Sequence, residues 1–167
     1  KTGEIFWSVS EKDGVYTPVY SVGGLKGAVF TVTAAEDIVT PDGTKRYSKG
    51  EVVDTVTTDK SGTAITKELY LGKYEVTETK APYSTVLNKT PQTVFLDYAG
   101  EEISITGTNV GFYNERQKAE ISIKKILQLD ESFGTGSGGE ILTVKFGLYA
   151  AEEITAADES TIPADGL

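Results

Sequence analysis

Glu78 and Asn114 are the residues whose type and spacing could do chemistry. Side chains alternate along a strand, so Tyr74, Val76 and Glu78 share one face of theirs. Val110, Phe112 and Asn114 share a face in the same way. If the aromatic and aliphatic members face a core, a carboxyl and a carboxamide face it too. Such groups are costly in a core unless they meet partners. The plainer alternative is that both sit at strand ends and reach water. The missing residue types narrow the chemistry further. The 167 residues contain no Cys, which excludes disulfides, thiolate metal sites and a Cys nucleophile. They contain no His, which removes the usual general base, the usual zinc ligand and every Ser-His-Asp arrangement.

Other patterns lead to blander readings. Gly134–Gly139 (GTGSGG) has a phosphate loop's glycines, but neither the Lys-Ser/Thr pair nor a helix follows, so it reads as a flexible loop. Asp130-Glu131-Ser132 opens like a calcium loop, but the later Gly and Glu registers fail. Asp42-Gly43-Thr44 reads as a turn, and Asn88-Lys89-Thr90 is a formal glycosylation sequon. Trp7 shares a face with Ile5 and Val9, which argues for core packing over ligand stacking. Acids occur in pairs such as Glu36-Asp37 and Glu152-Glu153; solvated turns explain them, with scattered calcium ligands the alternative. The net charge of −9 repels phosphate backbones and argues against nucleic-acid binding.

The elements that must position these residues follow a period of two. Val, Ile, Thr and Tyr fill the alternating runs, as suits a pleated surface. Expected strands are Ile5–Ser10, Val15–Val22, Ala28–Ala34, Val52–Thr58, Ala64–Glu68, Tyr74–Thr79, Gln92–Asp97, Ile103–Gly107, Val110–Asn114, Ile121–Leu127 and Ile141–Ala150. Turn signals such as Asp13-Gly14, Pro41-Asp42-Gly43 and Ser61-Gly62 separate them. Asp13-Gly14 predicts a hairpin between the first two strands, and Pro18 predicts that the second is an edge strand. Ala34–Asp37 and Ala150–Glu153 tolerate helix but are too short to matter. The pattern predicts an all-β sandwich. No apolar run is long enough to span a membrane, no signal peptide opens the chain, and Met is absent even from position 1. The sequence therefore reads as a piece of a longer product.

A repeat lies within it. Ala28–Ile38 (AVFTVTAAEDI) aligns with Val144–Ile154 (VKFGLYAAEEI) at an offset of 116, with five of eleven positions identical. The same offset pairs Glu4-Ile5 with Glu120-Ile121 and Asp42 with Asp158. Residues 1–118 then form one domain, and 119–167 the N-terminal part of a second copy.

Leu25–Val32 (LKGAVFTV) resembles the second strand of CnaB-type domains. Leu69–Tyr83 (LYLGKYEVTETKAPY) is similar to that family's Glu-Thr-x-Ala-Pro signature, and Val52–Ala64 and Val110–Gln117 resemble its following and closing strands. The resemblance covers about residues 1–118 and implies a prealbumin-like (CnaB-type, Ig-like Greek-key) β-sandwich, followed by an incomplete second copy. These are repeats of Gram-positive surface adhesins and pilins. The resemblance also implies an intramolecular isopeptide bond, in which a Lys on the first strand attacks an Asn on the last while a Glu assists. Glu78 is then the assisting acid and Asn114 the amide. Burial must bring the Lys amine to its neutral form, and Glu78 hydrogen-bonds the Asn carbonyl and relays protons. In the second copy Lys125 fits the first-strand pattern, but at the 116 offset it maps to Val9, which cannot react. The first copy either lacks the bond or takes its Lys elsewhere; Lys1 is preferred, with Lys12 and Lys26 as runners-up.

The implied function is a rigid stalk or spacer of a cell-wall-anchored surface adhesin or pilin. Its partners would be neighbouring repeats of the same polypeptide. The alternative is a ligand-binding module engaging host matrix protein or carbohydrate. No turnover enzyme, cofactor or metal is expected.

Overall fold

The structure, a computed structural model, describes residues 1–126 and 144–167. Gly134–Gly139, Asp130-Glu131-Ser132 and the inner ends of the expected strands Ile121–Leu127 and Ile141–Ala150 lie outside the described residues. Among the described residues all regular structure is β. The strands are β1 (Thr2–Lys12), β2 (Val15–Gly24), β3 (Val29–Ala34), β4 (Ile38–Val39), β5 (Lys45–Tyr47), β6 (Val52–Thr57), β7 (Gly72–Lys80), β8 (Gln92–Leu96), β9 (Tyr113–Asn114), β10 (Ile154–Thr155) and β11 (Thr161–Ile162).

Contacts divide the chain into two units. The first is Lys1–Ile5 with Tyr20–Gln117; the second is Phe6–Val19 with Lys118–Leu167.

The first unit holds an antiparallel four-stranded sheet in the order β6-β3-β7-β8. β3 alternates strictly, burying Phe30, Val32 and Ala34. These residues seed two apolar clusters. Val32, Ala34, Ile38, Val53 and Tyr74 form one, and Ala28, Phe30 and Phe112 form the other. Fully burying a Val, Ile or Phe side chain among them contributes about 1.5–3 kcal/mol. A second sheet has the order β2-β1-β9, with β9 parallel to β1. β2 lies at its edge, as Pro18 predicts, and Asp13 and Gly14 take the positive φ values of 55° and 78° that a tight hairpin turn requires.

In the second unit β10 and β11 pair, and they begin 116 residues after β4 and β5. The turn chemistry repeats at the same offset. Asp42 accepts from the Thr44 amide and hydroxyl, and Asp158 from those of Ser160. Both carboxyls are held below their usual range, Asp42 chiefly by the Thr40 hydroxyl and Asp158 by that of Ser160.

Several sequence expectations are corrected. Ala64–Glu68 and Ile103–Gly107 form no strands. Both segments line a cleft of about 880 Å³ in the first unit, and the Lys67 amide donates to the Asp54 side chain. Alternation marks a segment that suits a sheet, but a strand also needs a partner ladder. Residues 121–126 and 144–150 likewise form no strand. Val110–Asn114 shortens to Tyr113–Asn114, and the short strands β4, β5, β10 and β11 carry too few residues to show a period. Trp7 is not a core residue: it is 48% exposed.

Candidate functional site

The site begins with how the backbone places Lys1. Its main-chain nitrogen donates to Gly62 O at 2.6 Å, and its carbonyl accepts from Leu25 N at 3.2 Å. The next amide, Thr2 N, donates to Phe112 O at 2.9 Å, which starts the parallel register Thr2↔Tyr113 and Gly3↔Asn114. First and last strands of the first unit are therefore neighbours. Gly62 makes the approach possible: its φ is +79°, and a Cβ there would sit 2.1 Å from Lys1 O.

Glu78 stands on β7 opposite Phe30 of β3, on the face it shares with buried Tyr74. Asn114 closes β9. The two are 2% and 1% exposed, and the Lys1 side chain is 1% exposed. The three side chains meet. Lys1 Nζ donates to Asn114 Oδ1 and lies 3.3 Å from Glu78 Oε1 and 3.4 Å from Oε2. Asn114 Nδ2 donates to Glu78 Oε1 at 2.8 Å. One carboxylate oxygen thus touches both the lysine nitrogen and the amide nitrogen. The sequence-based expectation had Glu78 on the amide carbonyl; here Glu78 holds the amide nitrogen, and the carbonyl oxygen faces Lys1.

The surroundings are apolar. The rings of Phe30 and Phe112 pack 4.8 Å apart, and Lys1 Nζ lies 5.9 Å from the centroid of each. Burial pushes the Lys1 amine below its usual value, and the adjacent Glu78 carboxylate pulls it partly back. The arrangement holds an amine against a carboxamide with an acid between them, away from water.

Lys12 and Lys26 are exposed and outside this cluster, as is Lys125. Sequence reasoning put Phe112 beside Asn114 but missed three contributors, Phe30, Asn88 and Thr85. Phe30 and Phe112 form the apolar wall. Asn88 donates its main-chain N–H to Glu78 Oε2 at 2.9 Å, and Thr85 Oγ1 accepts from Asn114 Nδ2 at 3.4 Å. Phe30 lies within the Leu25–Val32 stretch that resembles the family's second strand; nothing in the sequence signals a role for Thr85 or Asn88 at this site. Among the described residues no group of three or more acids could hold a metal ion, and no helix is long and apolar enough to cross a membrane.

Residues 19–111 match the SpaA family, a prealbumin-like fold domain. The chain belongs to that family. The matched stretch includes Glu78, with Lys1 and Asn114 outside it. Two solved structures are similar. The pilus 2b backbone protein of group B streptococcus is 19% identical, with a TM-score of 0.38, over 70% of this chain and 41% of its own. BcpA, the major pilin subunit of Bacillus cereus, is 26% identical, with a TM-score of 0.30, over 71% of this chain and 28% of its own. This chain spans less than half the length of either pilin. A search of curated proteins finds no match.

Proposed function

We propose that this chain is a structural stalk segment of a bacterial surface pilus or adhesin, its first domain locked by an isopeptide bond between Lys1 and Asn114. In this reading residues 1–118 are one SpaA-type domain and 119–167 begin another, a division supported by the turn that recurs 116 residues on. Its partners are neighbouring repeats or subunits, and its place is the cell surface. The observation that carries the crosslink is the buried contact of Lys1 Nζ with Asn114 Oδ1, bridged by Glu78.

The chemistry balances with these three residues alone. Lys1 reacts as the neutral amine, its extra proton already lost to solvent, a form that burial favours. The amine attacks Asn114 Cγ, and the Nζ–Cγ bond forms as the carbonyl π pair moves to Oδ1. Proton transfer through Glu78 Oε1, which touches both nitrogens, carries the amine's proton to Nδ2. The Cγ–Nδ2 bond then breaks and ammonia leaves. The reaction occurs once per chain and turns nothing over.

Intact mass tests it. The folded protein should weigh about 17 Da less than its sequence, the mass of the ammonia released. Peptide mapping should place the loss at Lys1 joined to Asn114. A full sequence mass in folded protein would refute the crosslink.

A further inference from the structure

The leaving nitrogen has a second holder. Asn114 Nδ2 donates to Glu78 Oε1 at 2.8 Å and to Thr85 Oγ1 at 3.4 Å. The Thr85 hydroxyl hydrogen is already committed, donated to Pro82 O at 2.9 Å. Toward Asn114 the Thr85 oxygen is therefore an acceptor, and an acceptor suits the amide NH₂ group rather than its carbonyl oxygen. Turning the amide over would set Oδ1 against the oxygens of Thr85 and Glu78 and remove it from Lys1.

Local backbone structure fixes Thr85 in that role. Ser84 takes a left-handed φ of 63° after buried Pro82, and the chain then runs beside the segment that follows Asn114. Thr85 bridges Arg116 in antiparallel fashion, Val86 N donates to Glu115 O at 2.8 Å, and Gln117 N donates to Ser84 O at 2.8 Å. Three residues on, Asn88 N–H holds Glu78 Oε2 at 2.9 Å. One short segment thus steadies both the acid and the nitrogen that must leave.

We infer that Thr85 is the leaving-group residue of the crosslinking reaction: its hydroxyl oxygen fixes the Asn114 amide with Oδ1 toward Lys1 and Nδ2 toward the proton that Glu78 delivers. The inference rests on the crosslinking reading above. As Nζ bonds to Cγ, Nδ2 loses its conjugation and gains a basic lone pair. Thr85 holds one N–H through that change, which confines the lone pair to the Glu78 side. Thr85 keeps its hydroxyl proton, donated to Pro82 O throughout, so the atom balance is unchanged.

The test follows mass loss with time in the freshly synthesised 167-residue chain, across a range of pH. Thr85→Val keeps the shape and removes the acceptor. It should slow the loss about tenfold at every pH, the effect of one lost hydrogen bond, without moving the midpoint of the profile. Thr85→Ser restores the oxygen and should recover the parent rate within about threefold. A parent rate in Thr85→Val would overturn the assignment. So would a slowed Thr85→Ser, or a slowed Thr85→Val with a displaced midpoint, since either would mean a general disturbance of the Lys1–Glu78 pair. Because Thr85→Ser is the milder change, the assignment stays open to refutation even if Thr85→Val fails to fold. If the parent itself loses no mass, the crosslinking reading has failed, and Thr85 has no leaving nitrogen to hold.

Discussion

Lys1 Nζ donates to Asn114 Oδ1 across 113 positions of sequence, in a pocket where neither side chain meets more than a trace of solvent. The parallel pairing of β1 with β9 brings their backbones together, and the walls of Phe30 and Phe112 exclude water from the meeting. Removing one member of a buried ionic group leaves the others uncompensated, typically at a cost of about 3–5 kcal/mol.

Glu78→Gln should separate the acid's chemistry from its shape. The amide cannot shuttle a proton between Lys1 Nζ and Asn114 Nδ2, so crosslinking should slow on the order of 10²–10⁴-fold. Freshly purified Glu78→Gln should carry its full sequence mass and melt below the parent. Equal mass loss in the two proteins would remove Glu78 from the mechanism.

The reaction should accelerate with pH. Only the neutral amine attacks, and burial lowers the Lys1 pKa from its ordinary 10.5. The rate should therefore rise through a midpoint below 10.5 and level off above it. Stability carries the same sign. In Asn114→Ala, which cannot crosslink, the folded chain holds fewer protons on Lys1 than the unfolded chain between the lowered pKa and 10.5. Its unfolding free energy should climb with pH in that window, and the penalty for a buried ammonium should be fully present below it. Tyr74 acts in the opposite direction at higher pH, because burial pushes its phenol up to about 12. The difference between Asn114→Ala and Lys1→Met/Asn114→Ala isolates the lysine. A difference flat across that window would mean that Lys1 titrates normally.

Much of this arrangement was legible in the sequence. The period of two put Glu78 with Tyr74 and Asn114 with Phe112, and all four are buried. The Asp13-Gly14 hairpin and the edge position of β2 followed from local chemistry. Lys1 was harder, because the resemblance's own lysine position falls on Val9, and only the contacts of β1 bring Lys1 beside β9. Ala64–Glu68 and Ile103–Gly107 misled because alternation reports what a segment suits, and a ladder partner is a tertiary fact. Thr85 and Asn88 left no pattern: one acts through a hydroxyl on an irregular segment, the other through a main-chain N–H that any residue except proline supplies.

Gly62→Ala should damage the site without touching a reacting group. The added methyl would meet Lys1 O at 2.1 Å, and the φ of +79° is unfavourable for alanine. The left-handed φ alone costs on the order of 1–3 kcal/mol, and relieving the contacts means moving Lys1, the Gly24–Leu25 backbone or the turn itself. The variant should melt lower and crosslink more slowly than the parent, while Gly43→Ala, whose Cβ meets nothing within 4 Å, should crosslink at the parent rate. Equal crosslinking rates in the parent and Gly62→Ala would mean that Lys1 reaches Asn114 without this close turn.

Mechanical pulling gives the most direct functional test. A bond from Lys1 to Asn114 closes a loop spanning 113 positions, and chain entropy alone would then stabilise the fold by about 4–5 kcal/mol. The mechanical consequence is larger. Tension applied at residues 1 and 117 would pass through the new bond and the three residues after Asn114, and the sheets between would carry almost none. Forced unfolding is governed by the unfolding rate, which a covalent clamp of this kind would all but abolish. In single-molecule pulling the parent should show no extension from this domain. Asn114→Ala should unfold and release roughly 400 Å of contour, from 113 residues at about 3.5 Å each. A parent that extends like Asn114→Ala would have no covalent path between its first and last strands, and the stalk would depend on packing and hydrogen bonds alone.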